Sequence, residues 1–224
     1  MYADVTYKDA SAVNTAMAKV YNHMCLAVIT SMIVSGFVGY NSYLLQVFFA
    51  TPLKWIVIFA PLAAVFAISF LMDKMTKLQA TIALHGFAAL MGLSFASIFA
   101  VYALGSIVTA FFGAGVLFLV MSVYGYFTKQ SLDSLGKYLF VGLIAIIIAS
   151  VVNIFIGNSI AAMVISALAI VIFLGLTAYD TQKIREQIMS GNDDKVEIMG
   201  ALSLYLNFIN LFLSLLQLFG DKKE

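Results

Sequence analysis

The chain has 224 residues, 63% hydrophobic and 10% charged, with a net charge of +1 and a mean hydropathy of +1.03. A soluble domain carries roughly 45–50% apolar and about 25% charged residues, so 12 basic and 11 acidic side chains cannot clothe a water-facing surface of this size. The near-zero charge excludes the basic footprint of a nucleic-acid binder, and Cys25, alone in the chain, forms neither an intrachain disulfide nor a cysteine cluster.

A bilayer removes the difficulty, because the outward face of the protein must then be apolar. Residues 1–21 read as a short polar N-terminal segment. They lack the basic region followed by a short apolar core of a cleavable signal, so the first apolar segment is expected to be retained. A spanning helix needs roughly 20 mostly apolar residues. Seven segments qualify, at about 22–41, 53–71, 80–102, 106–127, 138–156, 159–179 and 199–219, and residues 220–224 form a polar tail. The expected fold is all-α, a single seven-transmembrane-helix bundle over 22–219. Pro52 suits the start of the second helix and Pro61 falls inside it, where a kink is expected. Gly86, Ala89, Gly92, Ala96 and Ala100 mark close helix contacts in the third.

The joints alternate in character. Residues 42–52, 103–105 and 157–158 carry no charge, whereas 73–77, 129–137 and 180–198 do. Nine of the twelve Lys and Arg fall on one side: Lys8, Lys19, Lys74, Lys77, Lys129, Lys137, Lys183, Arg185 and Lys195. Lys54, Lys222 and Lys223 fall on the other. The positive-inside rule then predicts a cytoplasmic N-terminus. Tyr40, Tyr43, Trp55, Tyr102, Tyr126 and Tyr138 lie near span ends, where aromatic belts belong.

Polar groups inside hydrocarbon each demand an account. The seventh segment carries Ser203, Asn207, Asn210, Ser214 and Gln217 at offsets of 0, 4, 7, 11 and 14, which places all five on one face of a helix. Such a seam must turn inward. It serves either as interhelical glue, the simpler reading on spacing alone, or as the lining of a conduction path. Asp180 is the acid at the charged end of the sixth segment, with Lys183 and Arg185 within about a turn and a half. Asn153 and His85 are further polar points, each more simply hydrogen-bonded to a neighbouring helix than reactive.

No enzyme constellation accompanies these residues. HExxH and Walker patterns are absent, as is a GxSxG elbow. Two His and one Cys lack metal-ligand spacing. The chain therefore reads as a non-enzyme with no resident cofactor or metal.

Three segments carry a resemblance: GYFTKQSLDSLGKYL (125–139), GLTAYDTQKIREQ (175–187) and GALSLYLNFINLFLSLLQLFG (200–220). They resemble the Bax inhibitor-1 family, the transmembrane Bax inhibitor motif proteins, and its bacterial members most closely. The resemblance implies a last helix surrounded by the other six, location in the cell (inner) membrane, and a pH-sensitive leak of Ca2+ as a transient passenger. It also implies a carboxylate pair between the sixth and seventh helices. Asp180 matches the first partner, but Asn207 stands where the family usually has Asp, in LYLNFINLFL. Two facing carboxylates share a proton and act as a pH sensor. An amide instead donates to the carboxylate and removes one negative charge from the path. The leak is then expected to be weaker, with a flatter pH response. Counted from the outer ends of the expected spans, the two partners differ in height by roughly 14 Å, so contact requires uneven helix ends, tilt or a longer last helix. A second reading is regulation of a membrane-bound protease, a role some bacterial relatives have, through residues 1–20 and 180–198.

Overall fold

The computed structural model describes residues 9–191 and 195–223. Residues 1–8 of the N-terminal segment, with Lys8, lie outside the described residues, as do 192–194 of the 180–198 segment and Glu224 of the tail.

Helix α1 (Ala10–Gly39) starts well before residue 22, capped by Asp9, whose carboxylate accepts from the Ala12 N–H at 2.6 Å. Its early turns are polar in composition, yet Val13, Met17, Val20 and Met24 recur at helical spacing and are buried. Residues 10–21 are therefore part of the bundle. The uncharged 42–52 joint contains a short helix, α2 (Ser42–Phe49). Then come α3 (Leu53–Leu71), continued by a 3-10 turn to Lys74, and α4 (Lys77–Phe95), which opens with a Thr76–Gln79 capping box. After α5 (Ile98–Val101) follow α6 (Leu104–Phe127), α7 (Asp133–Ile156), α8 (Ser159–Met189) and α9 (Lys195–Phe219). Gly157 turns the α7–α8 corner at φ 69°, and Asn158 caps α8. Among the described residues seven stretches are long and apolar enough to cross a membrane, at the seven places read from the sequence.

Helix α9 is the centre of the bundle. It packs on α1, α4, α6 and α8, and Leu204, Tyr205 and Leu211 are wholly enclosed. Phe111 and Phe118 of α6 meet Phe208 edge to face at 5.3 and 5.9 Å. The expected surround of six is incomplete: α3 packs chiefly on α4, and α7 on α8. The outward surface is apolar, with Phe37, Phe70, Phe112 and Phe155 at least two-thirds exposed, as lipid contact requires.

Pro61 cannot donate to the carbonyl one turn earlier, that of Val57. Ser94 of α4 donates to that carbonyl at 2.6 Å, and α3 continues through the proline. The close-contact stripe on α4 is Ala80, Leu84, Ala88, Gly92 and Ala96, all buried. A Cβ on Gly92 would meet the Ser31 carbonyl at 2.6 Å. Gly86 faces open space and Ala100 is exposed, which corrects the expectation for those two. Tyr40, Tyr43, Trp55 and Tyr138 are exposed at span ends as aromatic belts require, but Tyr102 and Tyr126 are partly buried. The 220–223 tail is tied to the α5–α6 joint: the Ala103 N–H donates to the Asp221 carbonyl at 3.0 Å, and the Lys223 N–H to that of Val101 at 2.9 Å.

Candidate functional site

Residues four and three apart on α9 bring Ser203, Asn207, Asn210, Ser214 and Gln217 to one face. That face looks onto the side of α9 that α3 and α7 leave uncovered. A cavity of about 960 Å³ occupies the space, lined by all five residues and by Asp180. Leu62 and Val65 of α3, Phe140 and Ile147 of α7, and Phe173 of α8 form its apolar walls. In the cavity wall Asn207 Nδ2 donates to Asp180 Oδ2 at 2.6 Å.

This contact resolves the mismatch in height. Asp180 stands nine residues before Met189, the last of α8, and Asn207 twelve after Lys195, the first of α9. Counted from these neighbouring ends of α8 and α9, the partners are at similar depth. The unevenness is at the opposite end, where Asp180 stands 21 residues after Ser159, the first of α8, and Asn207 only 12 before Phe219, the last of α9.

The rest of the polar row does not tie helices together. Asn210 donates to the Leu206 carbonyl at 2.8 Å, and Ser214 to that of Asn210 at 2.7 Å, both within α9. Their remaining oxygen capacity lines the cavity. Of the two readings open to the sequence, the glue reading fits only Asn207. Interhelical bonds come instead from residues that the spacing did not single out. Tyr205 and Ser31 share a hydrogen bond of 2.6 Å, and Ser31 donates onward to the Ala88 carbonyl at 2.7 Å. Tyr21, Ser122 and Thr181 form a second chain, at 2.5 and 3.1 Å.

The other expected site residues fall elsewhere. Lys183 pairs with Asp133 at 3.7 Å, and the Arg185 guanidinium lies over the Tyr126 ring at 5.1 Å, so neither supports Asp180. His85 shares a 3.2 Å hydrogen bond with Thr30 at the α1–α4 interface. Asn153 Oδ1 is buried without a hydrogen-bond partner, and its side chain is not among those lining the cavity. In the 180–198 segment Thr181, Gln182, Ile184, Ile188, Glu197 and Ile198 are buried. Lys183, Glu186, Ser190 and Gly191 remain exposed.

Two features went unread in the sequence. Glu197 is buried and paired with Lys77 at 2.8 Å and Lys19 at 3.5 Å, which joins α9 to α4 and α1. Starting the last helix one turn before residue 199 would have exposed this role. Lys137 and Tyr179 also stand in the cavity wall. Asp180 is the one carboxylate among the described residues lining the cavity, and no group of three or more His, Cys, Asp or Glu there could hold a metal ion.

A family profile described as "Inhibitor of apoptosis-promoting Bax1" matches residues 13–224. The chain is 36% identical over 228 residues to an Escherichia coli K12 protein named "Inner membrane protein YbhL", covering 99% of this chain and 97% of that protein. It is 37% identical over 212 residues to an uncharacterized protein of Rickettsia prowazekii, covering 93% and 90% of the two chains. An uncharacterized membrane protein of Streptococcus pyogenes serotype M3 is 40% identical over 137 residues, 60% of each chain. With seven apolar spans among the described residues, the last of them packed among four others, the chain is an integral membrane protein of the Bax inhibitor-1 family.

Proposed function

We propose that the protein resides in the bacterial inner membrane as a multi-pass protein and passes cations, calcium among them, through the cavity beside α9. The observation that carries the reading is the polar row of α9 lining a cavity of about 960 Å³ whose wall includes the hydrogen-bonded Asp180–Asn207 pair. Location in the inner membrane draws support from the name of the Escherichia coli relative.

The chemistry of the pair sets the character of the leak. Calcium favours several hard oxygens, preferably anionic ones, and the described lining supplies one carboxylate with amide and hydroxyl oxygens. Asn207 donates an N–H to Asp180 and takes up no proton itself. The contact persists while Asp180 is ionised. A carboxylate at position 207 would share a proton with Asp180 in acid and repel it once both ionise. Flux through the native protein is therefore weak and nearly flat with pH. Calcium flux into liposomes, measured from pH 5 to 8 for the native protein and Asn207→Asp, checks this. The variant is expected to conduct more and to gain a rise in flux with pH. Equal flux with equal pH response would reject the reading.

A further inference from the structure

Helices α1 and α6 both pack on α8 and α9 but make no extended contact with each other. The gap between them is a groove of about 790 Å³. Met24, Val28 and Met32 of α1 form one wall, Gly115 and Leu119 of α6 the other, and Phe208 of α9 contributes from the centre. Along α6 the groove reaches from Phe111 to Phe127, about 24 Å at 1.5 Å per residue. One leaflet is about 15 Å of hydrocarbon, half of a ~30 Å core. An acyl chain fits over its full depth.

At its basic end the groove meets a second cavity of about 720 Å³, with Tyr126 and Phe127 in the walls of both. This one is polar. Lys129 and Arg185 line it with Asn14, Ser131, Gln182 and one carboxylate, Glu186. Gln182 accepts from the Leu132 N–H at 2.8 Å and donates to the Gln130 carbonyl at 2.9 Å, so the loop carrying Lys129 is fastened to α8. Arg185 Nε is buried with no hydrogen-bond partner. Neither Lys129 nor Arg185 forms an ion pair among the described residues. A buried guanidinium N–H without an acceptor is costly, and its planar fork suits a phosphate.

We infer that the two cavities form one site for an anionic glycerophospholipid, its phosphate against Arg185 and Lys129 and one acyl chain in the α1–α6 groove. Two cations facing one carboxylate select an anionic over a zwitterionic lipid, as basic pockets between transmembrane helices do. The adjoining apolar groove selects a lipid over a free anion.

Native mass spectrometry of the full chain in detergent, titrated with phosphatidylglycerol, phosphatidylcholine or inorganic phosphate, tests the site. Phosphatidylglycerol is expected to bind in preference to the other two. The double variant Lys129→Gln/Arg185→Gln should weaken it about 30-fold, from two cations lost near the surface. Gly115→Phe should abolish binding with both cations intact, because Gly115 lines the groove and a Cβ there meets no other atom within 4 Å, so the ring has room to occupy the acyl-chain path. Equal binding of phosphatidylcholine, displacement of the lipid by inorganic phosphate, retention by the double variant, or a second copy of the chain in place of lipid would each overturn the inference.

Discussion

Asn207 and Asp180 are 2.6 Å apart, close enough that replacing one amide nitrogen with oxygen changes the chemistry of the contact. With the amide, the hydrogen bond has a fixed direction. With a second carboxylate it would depend on a shared proton. Lys137 adds to the effect. Its side chain stands in the wall of the same cavity as Asp180, where its charge would repel any cation passing through. Lys137→Gln should raise cation flux about two- to five-fold, a unit charge within ~10 Å being worth about 0.4–1 kcal/mol at a water-exposed site. The liposome flux assay reads it directly, and an unchanged or lower flux would exclude Lys137 from the path. Asp180 and Asn207 were legible as a pair only through family resemblance. Spacing alone set them at different heights, because the ends of α8 and α9 at Ser159 and Phe219 do not align. Glu197 was hidden for a related reason. Buried acids are rare enough to be informative, but this one lies just beyond the hydropathy boundary of its helix.

At the scale of single helices, the α3–α4 pair shows how the bundle tolerates an internal proline. Pro61 orphans the Val57 carbonyl and Ser94 satisfies it. Ser94→Ala should cost about 1 kcal/mol, read as resistance to unfolding in mixed detergent. In a Pro61→Ala background the restored N–H can reach Val57, and Ser94→Ala should then cost close to nothing. Equal costs in both backgrounds would contradict the compensation. Periodicity also explains the ends of α1. Hydropathy missed residues 10–21 because Asn14, Thr15 and Lys19 lower the average. Yet Val13, Met17, Val20 and Met24 trace a buried stripe at helical spacing. An average over a window detects what lipid requires, while a stripe detects what a neighbouring helix requires.

The seven long helices of the described residues form a core of five with two outlying members. Helices α1, α4, α6 and α8 enclose α9, and α3 and α7 stand off from it, leaving the polar face of α9 a cavity in place of a packed partner. The seven spans were readable because lipid demands long apolar runs, and the inward turn of the polar seam because it cannot face acyl chains; the central place of the last helix came from the family resemblance. The cavity was not, since spacing on one helix does not reveal how near its neighbours come. The central claim is that cations pass along this face. Cys25 is the only cysteine, so a Cys25→Ser background allows one reactive thiol to be placed at will. Calcium flux from liposomes should be measured for Asn210→Cys in that background, before and after a cationic, membrane-impermeant methanethiosulfonate reagent. Val152→Cys, on the exposed face of α7, serves as the control. The reagent is expected to bring the flux of Asn210→Cys down to the protein-free background and to leave that of Val152→Cys, whose thiol lies against lipid, unchanged. Undiminished flux through protein fully modified at 210 would contradict the account.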